Sequence, residues 1–208
     1  VMVIQASAGG DRISTSIISE IGGASSGDDF GQAILGDIDV NGDGLEDLAI
    51  GAPGTACAVS TGDGDACGNA YVFMAPFGAT LSAGEADLVL QGTAIGNELG
   101  YALANAHDWD GDGSADMLIG APGHSSDSGR VYVVNPSDTS SDSSADIDSL
   151  SMATLEGESG RLGTAVQGVG DADDDGFKDA LVGAPQNDSS GSAAGAAFIY
   201  WGTGGTGS

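Results

Sequence analysis

The chain has 208 residues, 40% of them apolar, with 37 glycines and a formal charge of −27 from 31 acidic side chains against four strong cations. A surface of that sign repels nucleic acid and anionic membranes. No apolar run reaches the roughly 18 residues that a membrane-crossing helix requires, so direct membrane insertion is excluded. Leu, Lys and Glu are sparse at helical spacing, and the glycines suit tight turns between short strands, so the fold class expected is all-β. No signal peptide is visible. The first residue is Val1 rather than Met, which leaves room for a removed leader or for upstream sequence.

In chain order, an apolar segment at Val1–Ile4 is followed by Arg12–Gly22, a second strand candidate. Then a cycle begins and runs three times. Each turn opens with an apolar residue and glycine: Phe30-Gly31, Leu99-Gly100 and Leu162-Gly163. A first strand follows, at Gly31–Asp39, Gly100–Asp108 and Gly163–Asp171. Next comes a nine-residue acidic loop, reading DVNGDGLED (Asp39–Asp47), DWDGDGSAD (Asp108–Asp116) and DADDDGFKD (Asp171–Asp179). A second strand ends in Gly-Ala-Pro at Gly51–Pro53, Gly120–Pro122 and Gly183–Pro185, where proline removes a ladder donor. The two framing glycines are 20 residues apart in all three copies. A chance cluster of carboxylates would not keep that frame.

After a variable polar loop, a third strand is expected at Asn69–Ala75, Gly129–Asn135 and Gly195–Trp201. A fourth is expected at Ala86–Gly92 and Ser151–Gly157, with Arg12–Gly22 in the equivalent place before the first cycle. Four short strands in each repeat of 63–69 residues is the pattern of propeller blades. The expected division is 1–29 as the last two strands of a preceding blade, 30–98 and 99–161 as whole blades, and 162–208 as three strands of another. A closed propeller takes about four to eight blades. Hence the chain reads as an excerpt of a longer protein, or as a short chain that completes itself by self-association through its incomplete blades. The stretches Asn135–Ser149 and Gln186–Gly195 are polar and low in complexity and are expected to be mobile surface loops without core residues.

Within each acidic loop, oxygen donors fall at positions 1, 3, 5 and 9, with a backbone carbonyl at 7 and a glycine at 6 for the sharp turn. The candidate ligands are Asp39, Asn41, Asp43, Asp47 and the Leu45 carbonyl in the first loop. In the second they are Asp108, Asp110, Asp112, Asp116 and the Ser114 carbonyl. In the third they are Asp171, Asp173, Asp175, Asp179 and the Phe177 carbonyl. All are hard oxygens, which suits Ca²⁺ better than zinc or copper, and the high protein-ligand count suits it better than Mg²⁺. An EF-hand begins alike but needs a bidentate Glu at position 12, where Ile50, Ile119 and Val182 stand. Eleven of the 31 acids sit at the ligand positions of these loops, and three bound Ca²⁺ would bring the formal charge from −27 to −21.

Cys57 and Cys67, the only cysteines, flank a polar loop. A disulfide there fits an oxidising, extracellular setting; two free thiols are the alternative. His107 immediately precedes an acidic loop and His124 follows Gly-Ala-Pro, both without a partner set for catalysis, so no enzyme active site is expected. Trp109 and Trp201 read as packing residues, with sugar stacking as the alternative. The glycine-rich Gly202–Ser208 has no following helix or lysine and is not a phosphate loop.

The joint pattern of Phe-Gly, a DxDxDGxxD loop and Gly-Ala-Pro resembles the FG-GAP repeats of integrin α-subunit propellers and of many secreted bacterial proteins. Leu99 and Leu162 depart from the pattern at the Phe, and Asn41 departs at the third loop position. The resemblance implies a β-propeller with calcium between the first and second strands of each blade. It further implies that calcium is chiefly structural there, and that other blade-connecting loops meet a protein or glycan ligand. No Arg-Gly-Asp sequence and no integrin-type stalk is present. The functions expected are an extracellular adhesion or ligand-binding module, a structural subunit of a filament or scaffold, or an accessory propeller of a secreted hydrolase or lyase.

Overall fold

A computed structural model describes residues 2–3, 19–58, 65–78, 81–138, 144–157 and 159–202. Most of the expected Arg12–Gly22 strand, the middle of the Cys57–Cys67 loop and all but the first residue of Gly202–Ser208 lie outside them. The architecture is a row of antiparallel β-propeller blades. A first ribbon pairs β1 (Met2–Val3) with β2 (Ser19–Gly22). The next blade holds β3 (Ala33–Ile38), β4 (Asp47–Ala52) and β5 (Asn69–Phe73); β6 (Leu81–Ser82) leaves it, and β7 (Leu88–Gln91) completes it. A second whole blade contains β8 (Ala102–His107), β9 (Asp116–Ala121) and β10 (Arg130–Val134). After β11 (Ser144–Asp146) it is closed by β12 (Ser151–Glu156). The last sheet is β13 (Ala165–Gly170), β14 (Asp179–Ala184) and β15 (Ala196–Tyr200). Register shifts interrupt β3, β8 and β13 just before each acidic loop, as bulges do where a strand must re-aim its end.

Blade faces pack on one another through strand side chains of alternating direction. In β9, Met117 and Ile119 face the preceding blade, in a core with Val72, Leu88 and Leu90. Leu118, between them, faces the following blade, in a core with Val131, Val133, Ala180 and Val182. Both faces of the strand are covered, so all its residues are buried. The glycine of Gly-Ala-Pro sets how closely blades approach. A Cβ on Gly51 would lie 1.8 Å from the Gly100 carbonyl oxygen, and one on Gly120 would lie 2.1 Å from that of Gly163. Phe30 meets Tyr71 edge-on, ring centroids 5.4 Å apart, and Leu99 and Leu162 are fully buried in its place.

The expectation for Asn135–Ser149 is overturned where the stretch is described; its residues 139–143 lie outside the described residues. Asn135 is buried, β11 pairs in parallel with β7 of the preceding blade, and Ile147 is fully buried in the core between the two blades. Thr93 donates to Asp148, and so does Tyr132 at 3.1 Å. This connection is a strap, and one apolar side chain at the right register suffices to seat it. The connection before β7 does the same, with β6 pairing in parallel with β2 and Ala83 buried just after it. The expectation for Gln186–Gly195 also fails at Asn187, which is buried; it donates to the Ser159 carbonyl at 3.3 Å and accepts from the Ser189 N–H at 3.0 Å.

Candidate metal centre

The three acidic loops share one wiring. The first carboxylate gathers backbone N–H groups from across the turn: Asp39 from Gly42 (2.8 Å) and Gly44 (2.8 Å), Asp108 from Gly113 (3.2 Å), and Asp171 from Asp175 (3.0 Å) and Gly176 (2.9 Å). The fifth accepts from the seventh residue, with Asp43 to Leu45, Asp112 to Ser114 and Asp175 to Phe177 at 2.7–2.9 Å. Such turns need left-handed backbone at the sixth position, which is why Gly44, Gly113 and Gly176 stand there, with φ of 85°, 95° and 99°.

The ninth-position carboxylates, Asp47, Asp116 and Asp179, are fully buried. Each closes its loop by accepting the second residue's N–H: Val40 at 2.9 Å, Trp109 at 2.7 Å and Ala172 at 2.6 Å. In the first and third loops the other oxygen also has a donor, from the N–H of Ala75 (2.8 Å) or Gly202 (2.9 Å), two residues past the third strand. The equivalent residue in the second blade is Pro136, which has no N–H to give. Asp116 Oδ1 is therefore buried without a partner, as is Asp108 Oδ1. Burial, then the charges of Asp110, Asp112 and Asp108, push the Asp116 pKa up to about 7 against the lowering pull of the Trp109 N–H.

Oxygens of Asp108, Asp110 and Asp112 lie within 4.8 Å of one another, as do those of Asp171, Asp173 and Asp179. The first loop, with Asn41 at position 3, forms no such three-acid group among the described residues. Three like charges so close repel unless a cation lies between them, and two buried oxygens without donors are the acceptors that a cation satisfies. The donor set thus fits a hard divalent ion. Sequence reasoning missed one supporting residue. Asn135 is 1% exposed and its Nδ2 donates to Asp112 Oδ2 at 2.9 Å. Its signal was positional: it takes the place of Met74 and Trp201 in the other repeats.

Cys57 and Cys67 are joined as a disulfide, Cα atoms 4.9 Å apart. The Cys67 carbonyl accepts the Leu99 N–H at 3.0 Å, which ties the clipped loop to the seam between blades. His107 is exposed. His124 is partly buried, and burial and the nearby Arg130 lower its pKa. Trp109 is buried and packs in the core, whereas Trp201 is half exposed.

A model of the FG-GAP repeat matches residues 30–66 and 99–134. The third repeat lies beyond those ranges but carries the same loop wiring. The chain is 33% identical over 150 residues to integrin alpha-IIb of Homo sapiens, covering 70% of this chain and 14% of that protein. It is 30% identical over 179 residues to integrin alpha-4 of Xenopus laevis, covering 83% and 16%. A third relative is the phosphatidylinositol-glycan-specific phospholipase D of Mus musculus, 36% identical over 115 residues, covering 50% and 13%. The chain thus spans only 14% of the length of the integrin alpha-IIb that it matches.

Proposed function

Starting from a chain that carries FG-GAP repeats, we infer that it is a calcium-binding propeller segment of a secreted or cell-surface protein, acting as an adhesion or ligand-binding module. The observation that carries the metal reading is the second loop, with two buried carboxylate oxygens lacking donors beside three clustered acids. The ions would be held by Asp39, Asn41, Asp43, Asp47 and the Leu45 carbonyl; by Asp108, Asp110, Asp112, Asp116 and the Ser114 carbonyl; and by Asp171, Asp173, Asp175, Asp179 and the Phe177 carbonyl. Bound there, calcium supplies positive charge that lets each loop close, and so stabilises the fold. We divide the chain into blades at 30, 99 and 162.

The disulfide supports an oxidising, extracellular setting. Among the described residues no helix is long and apolar enough to cross a membrane. The clipped loop at Cys57–Cys67 is the candidate contact for a protein or glycan. Within Asn135–Ser149, the other candidate, Ser144–Ile147 is committed to the neighbouring blade, which makes that stretch a weaker contact. A second reading, an accessory propeller of a secreted hydrolase, is favoured by the likeness to the phospholipase D.

Calorimetric titration with Ca²⁺ and melting in calcium against EGTA test the metal reading; no heat and no change in Tm would refute it. Arrays of matrix proteins and glycans test the module. Calcium-dependent capture that is lost when the Cys57–Cys67 loop is replaced is expected, and capture indifferent to that replacement would reject the contact assignment.

A further inference from the structure

The third ligand position reads Asn41 in the first loop but Asp110 and Asp173 in the others. Asn41 also differs from every other asparagine in the chain. Asn69, Asn97, Asn135 and Asn187 are buried, and Asn105 is half-buried, donating to the Asp37 carbonyl at 2.7 Å and accepting the His107 N–H at 2.6 Å. Asn41 alone is exposed. Asn41 alone is also followed by glycine; the others precede Ala70, Glu98, Ala106, Pro136 and Asp188.

Those two properties govern one reaction of asparagine. The backbone nitrogen of the next residue attacks the side-chain carbonyl carbon and closes a five-membered imide. A side chain on that next residue hinders closure, and glycine has none. Nothing lies within 4 Å of where a Cβ on Gly42 would stand, so no neighbouring segment blocks the ring. The Gly42 N–H, which must be lost, donates at 2.8 Å to Asp39 Oδ1, a carboxylate acceptor already in place. Among the described residues the Asn41 side chain is held by Asp43, accepting its N–H at 2.9 Å and donating to Oδ2 at 3.2 Å.

We propose that Asn41-Gly42 is a self-modification site that raises the acidic ligands of the first loop from three to four, and that bound calcium governs the conversion. The Gly42 N–Asn41 Cγ bond forms, the Cγ–Nδ2 bond breaks, and the amide leaves as ammonia with the transferred proton. Water then opens the imide at either carbonyl. Opening at one gives aspartate, which matches Asp110 and Asp173 and adds a carboxylate at the third position. Opening at the other gives isoaspartate, which inserts a methylene into the backbone and shortens the side chain, so the alternating ligand register is lost. Calcium opposes ring closure because it fixes the Asn41 side-chain oxygen as a ligand; this part rests on the metal reading above.

The test ages the 208-residue chain at mildly alkaline pH in EGTA and in excess calcium, followed by peptide mapping for the amide-to-acid mass gain and for isoaspartate. The expected result is a gain confined to the peptide containing Asn41, present in EGTA, suppressed in calcium and lost in Asn41→Gln, whose longer side chain would need a six-membered ring. Asn41→Asp should show no gain at that peptide and should bind calcium in the first loop more tightly than the parent. No gain at Asn41 in EGTA, or an equal gain at the buried asparagines, overturns the proposal. Equal ageing in EGTA and in calcium overturns its metal control, provided calorimetry on the same sample shows calcium bound. A failed metal reading appears in that calorimetry, whereas the EGTA digest reports the chemistry alone.

Discussion

Asp116→Asn separates the cost of a buried charge from the benefit of a bound cation. Asp116 is buried, with one oxygen satisfied by Trp109 and the other without a donor. Its pKa rises from 3.8 to about 7. Because the folded-state value lies above the unfolded one, the folded state holds the extra proton between them. Metal-free stability is therefore fully present at low pH and falls as pH rises through about 7. The full shift corresponds to about 4 kcal/mol at roughly 1.4 kcal/mol per pH unit, an upper bound because loops relax. Asparagine keeps an acceptor for Trp109 without the charge and should recover about 1–2 kcal/mol of it, which for a chain of this size raises Tm by about 2–8 °C. Scanning calorimetry in EGTA at pH 8 and pH 5 should show a larger rise at the higher pH. In calcium the sign should reverse, because the variant loses a ligand oxygen and part of the metal-induced rise in Tm. Equal effects at both pH values in EGTA, or an undiminished calcium response, would refute the reasoning.

Gly120→Ala should destabilise the chain by about 1–3 kcal/mol through overpacking against the Gly163 carbonyl. Gly183→Ala, whose Cβ would make only a 3.5 Å contact with Ala165, should be nearly neutral in urea melts of the same chain. Ile147→Ala, at a fully buried side chain between two blades, should cost about 2–4 kcal/mol in the same melts; a change within error would return that segment to loop status. Reducing the Cys57–Cys67 bond should cost roughly 2–3 kcal/mol, read as a lower urea midpoint under dithiothreitol.

The blades and loops were legible because their signals are local and repeated. A loop that must place oxygens at alternate residues and turn at a glycine leaves little freedom, and three copies in one frame make the strand positions on either side readable. The resemblance to FG-GAP repeats then supplied the propeller, which local periodicity alone only suggested. The straps were not legible. Ser144–Asp146 is polar, and its partner, β7, is more than 50 residues earlier, so nothing nearby in sequence announces the pairing. One apolar residue, Ile147, carries the burial, and a composition-based reading averages it away. Asn135 was missed for a related reason: its partner Asp112 lies across the blade. Pro136 was visible, but its effect on Asp116 appears only once the donors of Ala75 and Gly202 show what the proline lacks.

The parallel straps change how the molecule would bear a load. A row of blades joined only by face-to-face packing can be peeled apart one contact at a time. Here, force applied to β12 passes back through Ser144–Asp146 to β7 of the blade before it, where Ser144, Ala145 and Asp146 lie beside Val89, Leu90 and Gln91. For a pull along the strands, those parallel backbone pairs are loaded in shear and yield together rather than in sequence. Tension at one blade is shared with its neighbour before either sheet opens.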